Sequence, residues 1–140
     1  VANIVYSYYC LDILHIGHII DIKKSKKVAG VNGTLIAGIL TDEAIMEKKA
    51  KPIMPFAERY KIASSIKYFD RIVTQNTYSP LDNIIKYQPN ILMESTSHSQ
   101  ESIDELTRYM MGVGGKVVIN SYYKKQSSTK IKALIKNEET

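Results

Sequence analysis

The segment that decides the fold is IVYSYYCLDILHIGHIIDIKK, residues 4–24. It begins with a β-branched and aromatic run, from Ile4 to Tyr9, which has the length of a buried strand. From Ile16 onward, isoleucines recur at spacings of roughly three and four residues and lysines take the other side, a pattern that predicts an amphipathic helix. Gly30 and Gly33 end this pattern. The opening of the chain therefore predicts a strand, a turn and a helix.

The same alternation continues along the chain. Further short apolar runs predict the strands Leu35–Leu40, Arg71–Thr74, Ile91–Met93 and Lys116–Asn120. Helical patterns are predicted to begin near Pro55, Ser79, Ser99 and Ser127, and Thr41–Lys51 is predicted to be a polar connection. About five strand–helix repeats are typical of an α/β, Rossmann-like three-layer sandwich with a mainly parallel five-stranded sheet. Ligands of such sheets bind beyond the carboxyl ends of the strands.

Composition indicates one ordinary domain over residues 1–140. The chain is 44% apolar and 24% charged, which suits a single hydrophobic core. Cys10 is the single cysteine, so no internal disulfide can form and a reducing compartment is expected. No run approaches a membrane span, and the first strand-like run lacks the basic flank of a secretion signal. We therefore expect a soluble, cytoplasmic protein with no membrane partner.

The net charge favours an anionic partner. Nineteen Lys and Arg against fourteen Asp and Glu give +5, which suits nucleic acid, acidic lipid or a phosphorylated small molecule. The tyrosines are not interleaved with lysines, so we expect no nucleic-acid partner. No P-loop motif occurs, and the glycines at 112, 114 and 115 precede a predicted strand, which indicates a helix end rather than a dinucleotide fingerprint. A phosphorylated small molecule is left as the expected partner.

The first strand-to-helix turn carries the chemistry. His15 and His18 are three residues apart at the start of the predicted helix, so their rings should project from one face. The helix N-terminus adds unpaired backbone N–H groups and a partial positive charge, and Gly17 lets an anion approach the backbone. Such donors stabilise the charge that grows on a phosphate during displacement. We interpret this turn as a phosphate site.

Two other interpretations of the histidines stay open. One ring could cap the helix while the other packs in the core. Alternatively, the pair could share a zinc ion, for which Glu94 and His98 are the available further ligands. Because no third ligand stands out, we predict no metal site formed by the histidines.

Several segments, in order along the chain, resemble the cytidylyltransferase-like nucleotidyltransferases of the HxGH type. They are DILHIGH (12–18), Lys26, the strand 35–40 with TDE (41–43), PFAER (55–59), SIKYFD (65–70) and SSTKI (127–131). That family includes glycerol-3-phosphate and phosphonate cytidylyltransferases and the nucleotidyltransferase domain of the enzyme that makes ADP-heptose for the lipopolysaccharide core. The resemblance covers nearly the whole chain and implies the HxGH nucleotidyltransferase fold.

The resemblance implies a specific reaction. A phosphate or phosphonate oxygen of an acceptor attacks the α-phosphorus of CTP, with ATP as the alternative, and pyrophosphate leaves. Mg²⁺ or another divalent cation is implied with the nucleotide, and a homodimer by analogy. The family assigns His15 and His18 to the triphosphate and the crowded α-phosphorus. It assigns a lysine at the position of Lys26, about two turns beyond His18, to the phosphates.

The resemblance also implies nucleotide contacts outside the turn. The hydroxyls before the last helix are expected to bind the β- and γ-phosphates, with an ordinary helix cap as the alternative; they belong to Ser127, Ser128 and Thr129. Arg59 is expected to organise the site near the nucleotide, or else to join a surface ion pair. Asp12 is expected to orient the turn rather than to act as a base, because the nucleophile is already ionised.

The chain departs from the family pattern in three places. Tyr8 and Tyr9 stand where the family has small residues, so that side of the nucleotide pocket must be built from these tyrosines. Lys124 or Lys125 is expected to replace the charge of a family arginine. The loop after the fourth strand lacks the family's acidic pair and tryptophan.

That loop is expected to form the acceptor site. Glu94 and His98 follow a strand's carboxyl end, so they are the predicted acceptor-binding residues, with an exposed loop histidine as the alternative. Because of these departures, a non-catalytic nucleotide-binding module is the second functional hypothesis. The sequence does not identify the acceptor or the pathway.

Overall fold

A computed structural model describes residues 2–121 and 125–138 of the protein. Strands and helices alternate along this part of the chain. The elements are β1 (Ile4–Tyr9), α1 (Ile16–Ala29), β2 (Thr34–Leu40), α2 (Asp42–Met46), α3 (Phe56–Ser64), β3 (Arg71–Gln75), α4 (Leu81–Tyr87), β4 (Ile91–Ser95), α5 (Gln100–Gly112), β5 (Lys116–Asn120) and α6 (Ser128–Glu138). Lys124, one of the two lysines expected to replace the family arginine, lies outside the described residues.

The five strands form one parallel sheet with the order β3-β2-β1-β4-β5. β1 is central, and Tyr6 lies opposite Ile36 of β2 on one side and Leu92 of β4 on the other. The chain first builds outward from β1 to β3 and then crosses to β4, so the strand order reverses between β1 and β4. Ligands of open α/β sheets bind at such a switch point, beyond the carboxyl ends of the strands.

Helices cover both faces of the sheet. Successive side chains of a strand point to opposite faces. Val5 accordingly packs in one buried cluster with Ile22 of α1 and Ala63 of α3, whereas Tyr6 packs in another with Ile84 of α4 and residues of α5. The predicted α/β three-layer sandwich is confirmed.

The prediction of a wholly polar connection over Thr41–Lys51 is wrong, because α2 lies within it. The Thr41 hydroxyl caps this helix by accepting a hydrogen bond from the Ala44 N–H at 3.1 Å. Ala44 and Ile45 are buried beside Leu40. A helix of five residues is too short to show the apolar periodicity by which helices are predicted.

The remaining predicted elements are present with small shifts at their ends. β4, for example, extends from the predicted Met93 to Ser95, which makes Glu94 a strand residue rather than a loop residue. α1 ends at Gly30, where the backbone turns to a φ of 81° and the N–H donates to the Lys26 carbonyl. Across residues 2–121 and 125–138, none of the helices combines the length and the apolar character that crossing a membrane would take.

Candidate active site

A cleft of about 680 Å³ lies at the switch point of the sheet. Its walls come from the ends of β1, β2, β4 and β5 and from the starts of α1 and α6. Most of the predicted site residues line it: Tyr8, Tyr9, Asp12, His15, Gly17, His18, His98, Ser127, Ser128 and Thr129. Glu94 lines a small adjoining cavity with Tyr8 and His98. Arg59 and Lys26 line neither space.

The turn between β1 and α1 has an unusual backbone. Leu11 and Ile13 both have a φ of 56°, in the left-handed region that bulky and β-branched residues rarely adopt. Backbone of this kind persists only where its surroundings hold it, and it is frequent at functional sites. Leu11 is anchored by complete burial in the core. Further support comes from two charged side chains, Asp12 and Arg59.

Asp12 ties the turn to two other parts of the chain. Its carboxylate accepts hydrogen bonds from the Ile53 N–H at 2.9 Å, the Met54 N–H at 3.0 Å and the Lys132 ammonium at 2.6 Å. Burial alone would raise the pKa of Asp12, but these hydrogen bonds outweigh it, so the pKa is lowered. The contacts fit the predicted orienting role, because an ionised carboxylate that already holds three donors is a poor base.

Arg59 is a completely buried clamp beneath the turn. Its guanidinium donates to the carbonyl oxygens of Met54, Cys10 and Leu40 at 2.9, 2.8 and 2.7 Å, and to the Asp42 carboxylate at 2.7 Å. It therefore joins the end of β1, the end of β2 and the start of α2. The alternative of a surface ion pair is wrong because Arg59 is buried. Arg59 does not line the cleft, so its contacts fit the expected organising role, and its assignment to nucleotide binding stays a prediction.

His15 and His18 cap α1 reciprocally. His15 is the N-cap residue, and its Nδ1 accepts a hydrogen bond from the Gly17 N–H at 3.0 Å. The Nδ1 of His18 accepts one from the His15 N–H at 3.1 Å. The ring centroids lie 4.1 Å apart, with 43° between the planes. Helix capping and a position in the cleft, which the sequence presented as alternatives, are therefore combined in the same two side chains.

These capping bonds fix the tautomer of both rings. A backbone N–H can only donate, so each Nδ1 is unprotonated and the neutral ring carries its proton on Nε2. Burial, with a smaller effect of the neighbouring His15 ring, lowers the pKa of His18 to about 4, and burial also lowers the pKa of His15. At neutral pH the pair therefore offers two uncharged Nε2–H donors in rings that line the cleft.

The expectation that unpaired backbone N–H groups converge on an anion here is wrong for three of them. The N–H groups of His15 and Gly17 donate to the rings, and the His18 N–H donates to the His15 carbonyl oxygen at 3.1 Å. These three backbone N–H groups are therefore already hydrogen-bonded within the turn.

The start of α6 lies across the cleft mouth near Asp12. The Ser127 hydroxyl accepts a hydrogen bond from the Lys130 N–H at 3.1 Å, so Ser127 is a helix cap as well as a cleft residue. The Ser128 hydroxyl donates to the carbonyl oxygens of Asp12 and Ile13. No residue of α6 is fully buried, so polar contacts to the turn hold the start of this helix.

Tyr8, Glu94 and His98 form a hydrogen-bonded group on the β4 side, which we call the Glu94 cluster. The Tyr8 hydroxyl donates to both oxygens of the buried Glu94 carboxylate, at 2.9 and 2.7 Å. The His98 Nδ1 is hydrogen-bonded to the Glu94 Oε1. The Tyr8 and His98 rings stack with centroids 5.4 Å apart. Burial and the Glu94 charge raise the pKa of Tyr8, which keeps its hydroxyl protonated.

Tyr9 and Asp21 form part of the cleft between the two groups. Tyr9 is buried, its hydroxyl accepts a hydrogen bond from the Ser7 hydroxyl at 2.7 Å, and burial raises its pKa. The Asp21 carboxylate accepts a hydrogen bond from the Asn120 side-chain amide, and burial raises the Asp21 pKa. Sequence reasoning missed Asp21 and Asn120, since each is a single polar residue within an otherwise ordinary helix or strand.

The expectation that Lys26 reaches the phosphates is wrong. Its ammonium lies 2.6 Å from the Asp70 carboxylate, and that carboxylate also accepts a hydrogen bond from the Leu35 N–H at 2.8 Å. Leu35 is at the amino end of β2. Lys26 therefore lies at the amino ends of the strands, whereas the cleft lies at their carboxyl ends. The spacing along α1 from His18 to Lys26 is about 12 Å, too long for the two to share an anion.

Two other lysines line the cleft, and sequence reasoning did not assign them. Lys132 lies four residues after Ser128 on α6, and this spacing, which puts both on one helix face, could have found it. Lys49 follows α2 and lies 6.0 Å from the centre of the Tyr78 ring. The sequence signal for Lys49 is only its position after the carboxyl end of β2, where ligands of such sheets bind. The part of the chain that the structure describes has no group of three or more His, Cys, Asp or Glu placed to hold a metal ion.

A parallel sheet with a cleft at its switch point, lined by two neighbouring imidazoles and two lysines, defines an α/β protein with a ligand site at the carboxyl ends of its strands. The sequence profile of the cytidylyltransferase-like family matches residues 10–134. The chain belongs to this family of nucleotidyltransferases, and the resemblance stated from the sequence is confirmed.

Individual relatives and a solved structure agree with this membership. The bifunctional protein HldE of Caulobacter vibrioides is 27% identical over 124 residues, which cover 87% of this chain and 25% of that protein. The ethanolamine-phosphate cytidylyltransferase of Arabidopsis thaliana is 26% identical over 82 residues, 59% of this chain and 19% of that protein. The chain thus spans a quarter or less of these relatives. A lipopolysaccharide core biosynthesis protein from Thermoplasma volcanium shares the fold, with a TM-score of 0.74, 24% identity and coverage of 89% of this chain and 99% of that one.

Proposed function

We propose that the protein transfers CMP from CTP to a small molecule that carries a phosphate or phosphonate. An acceptor oxygen forms a bond to the α-phosphorus, the bond from that phosphorus to the bridging oxygen breaks, and pyrophosphate leaves. The observation that carries this proposal is the reciprocal His15–His18 cap, because it fixes two neutral Nε2–H donors in the cleft. Fixed donors of this kind stabilise charge on phosphate oxygens without reorganising during the reaction.

The remainder of the cleft suits a triphosphate. Phosphoryl-group displacement asks the protein mainly for positioning and for neutralisation of charge. Lys49 and Lys132 bring positive charge to the cleft, and Thr129 with its neighbouring serines brings hydroxyls at the start of α6. We propose that the histidines bind around the α-phosphate and that α6 and the lysines bind the pyrophosphate part.

We propose that Mg²⁺ enters together with the nucleotide. Within residues 2–121 and 125–138, no cluster of ligating side chains forms a site for a metal, and Asp12 at the turn already holds three donors. Mg²⁺ is commonly bound through substrate phosphates and water with few protein ligands. The triphosphate oxygens would therefore supply most of its coordination.

CTP is the proposed nucleotide and ATP is the alternative. The late SSTKI segment, residues 127–131, supports the cytidylyl branch. The Arabidopsis relative is named as a cytidylyltransferase for ethanolamine phosphate, which supports both CTP and a phosphorylated acceptor. The fold shared with a lipopolysaccharide core biosynthesis protein supports the heptose-type alternative, which uses ATP. Isothermal titration with each nucleotide would separate them by affinity.

A non-catalytic nucleotide-binding module is the second candidate. It is favoured by the positions of Lys26 and Arg59, two residues that the family uses around the nucleotide and that lie outside the cleft here. Such a module would bind CTP or ATP and release no pyrophosphate. A homodimer and a cytoplasmic location, both expected from the sequence, stay predictions that sedimentation and cell fractionation can test.

Pyrophosphate release tests the proposed reaction. The protein would be incubated with CTP or ATP, Mg²⁺ and a panel of phosphorylated and phosphonate acceptors. We expect acceptor-dependent release with at least one pair, and its loss in the His15→Asn and His18→Asn variants. Glu105→Gln, an exposed change on α5, is the matched control. Nucleotide binding without release across the panel would favour the module, and equal release by the histidine variants would contradict the proposed site.

A further inference from the structure

Glu94 is a buried carboxylate that is hydrogen-bonded to residues on the proposed acceptor side of the cleft. It is 2% exposed. Its oxygens accept hydrogen bonds from the Tyr8 hydroxyl and, at 3.0 Å, from the Ser95 N–H, and Oε1 is hydrogen-bonded to the His98 ring nitrogen Nδ1. An ionised carboxylate has lone pairs and no proton to give. The Nδ1 of His98 also lies 3.0 Å from the Tyr8 hydroxyl, whose single proton we assign to Glu94. With that assignment the Nδ1 of His98 carries a proton and donates it to Glu94, which is the opposite of the arrangement in His15 and His18.

Burial of the Glu94 charge favours a charged His98. A carboxylate removed from water is stabilised by a paired cation, and removal of one partner of such a pair is costly. His98 is the partner in contact with it, and the two side chains are 21% and 0% exposed, respectively. The imidazolium form neutralises Glu94 through Nδ1–H and leaves its second N–H, on Nε2, for a group in the cleft.

The surroundings of His98 suit an anionic ligand. Its ring lies between the stacked Tyr8 ring and the edge of Tyr78, whose centroid is 6.0 Å away. Lys49 is in contact with Tyr78 on the cleft side. Ser95 and Ser97, which also line the cleft, add hydroxyls 2.9 Å from each other.

Asp21 is the acidic group that faces this region from α1. It lines both the cleft and the small cavity next to Glu94, and its pKa is raised by burial first and by the Glu94 charge among lesser causes. The titratable and charged groups around His98 are therefore Tyr8, Tyr78, Glu94, Asp21 and Lys49.

We propose that Glu94 holds His98 as an imidazolium whose Nε2–H binds the phosphate or phosphonate group of the acceptor, and so selects acceptors that carry such a dianion. This inference rests on the proposed function. It assigns His98 to substrate binding and Glu94 to positioning, because Glu94 acts through His98. A neutral His98 would instead present a lone pair on Nε2, which would suit a hydroxyl acceptor and removal of its proton.

Nitrogen NMR of the histidine rings tests the proposal directly, since the chain has three histidines. ¹⁵N-labelled protein would be titrated with inorganic phosphate and with methylphosphonate near neutral pH. We expect His98 to carry protons on both nitrogens, and its Nε2 signal to move on addition of either anion. A neutral His98 ring, or a ring that neither anion affects, would overturn the proposal.

Two variants and a control separate recognition from general stability. In Glu94→Gln and His98→Gln, the affinity for methylphosphonate should fall about tenfold or more, which is the size expected for a charged hydrogen bond. In Glu94→Gln, the ¹⁵N signal of the His98 Nδ1 should also change, because that nitrogen loses its carboxylate partner. Glu105→Gln should change neither quantity. Unchanged methylphosphonate affinity in folded His98→Gln, checked by circular dichroism, would contradict the assignment.

The same spectra distinguish this proposal from the proposed function. CTP or ATP should move the His15 and His18 signals whatever happens at His98. If the nucleotides move these signals and the anions leave His98 unaffected, the acceptor assignment alone fails. If the nucleotides leave His15 and His18 unaffected, the proposed function fails.

Discussion

The two histidine sites of the cleft use the same side chain in opposite ways. At the turn before α1, backbone N–H groups donate to Nδ1 of His15 and His18, so these rings are neutral and present Nε2–H. In the Glu94 cluster, a carboxylate is hydrogen-bonded to Nδ1 of His98, and we propose that this ring donates at Nδ1 and is held as a cation. The partner of Nδ1, rather than the residue type, decides what each ring offers to a ligand.

This difference suits the two proposed ligands. A neutral pair of donors suits the α-phosphate. A strong positive charge there would bind the ground state as tightly as the transition state, and such uniform binding does not raise kcat. A cation is useful where a dianionic acceptor must be brought beside an anionic nucleotide. In the proposed function, the turn therefore acts on the reacting phosphate and the Glu94 cluster recognises the acceptor.

The largest expected effect comes from Arg59, which supports the histidine turn but not the Glu94 cluster. Arg59→Met removes four hydrogen bonds and leaves buried carbonyl oxygens and Asp42 without their donor. We expect the free energy of unfolding to fall by about 3 kcal/mol or more. Urea denaturation followed by circular dichroism would measure it, and a loss below about 1 kcal/mol would refute the clamp role.

Replacement of the turn histidines should have the next largest effect. Asparagine can accept the capping bond through its Oδ1 but has no counterpart of Nε2–H. His15→Asn and His18→Asn should therefore each lower kcat about 100- to 1,000-fold while the protein stays folded. Pyrophosphate release and thermal melting measure the two quantities. A lower melting temperature with an unchanged kcat would show that the rings serve the helix and not the reaction.

A matched pair of lysines, Lys132 on α6 and Lys26 on α1, tests whether the nucleotide binds in the cleft. Lys132 and Lys26 each form a 2.6 Å ion pair with an aspartate, but Lys132 lines the cleft and Lys26 does not. Lys132→Met should raise KM for the nucleotide about tenfold, whereas Lys26→Met should leave the kinetics unchanged. Steady-state kinetics with CTP would show the contrast, and equal effects of the two changes would argue against the assigned positions.

Acid stability is expected to depend on His18. The folded-state pKa of His18 is about 4, below the ordinary value of 6.5, so the unfolded chain binds a proton in this pH window and the folded chain does not. Stability should therefore decrease as the pH falls from about 6.5 to about 4. His18→Asn should decrease less over the same window. Urea midpoints across this range measure the difference, and parallel curves would contradict a buried neutral His18.

Much of the fold could be predicted because strand and helix periods repeat along the chain. β1 and α1 follow directly from the segment 4–24. α2 could not be predicted, because its five residues are too few to show an apolar period. The Thr41 cap and the burial of two side chains stabilise it instead.

The candidate site could be predicted where its residues are close in sequence. His15, Gly17 and His18 are adjacent on one helix start, so their proximity required only helix geometry. Lys26 was misplaced, and the burial of Arg59 was not foreseen, because both positions depend on packing between distant segments. The same long-range packing brings Lys132 to Asp12, a contact between residues 120 positions apart that no local pattern records.

A crystal structure with a non-hydrolysable CTP analogue and Mg²⁺ tests the central claim most directly. We predict that the Nε2 atoms of His15 and His18 lie about 2.7–3.1 Å from phosphate oxygens, with their Nδ1 atoms still bonded to the helix backbone. An analogue bound elsewhere, or rings turned so that Nε2 packs against protein while the phosphates contact other groups, would contradict the account.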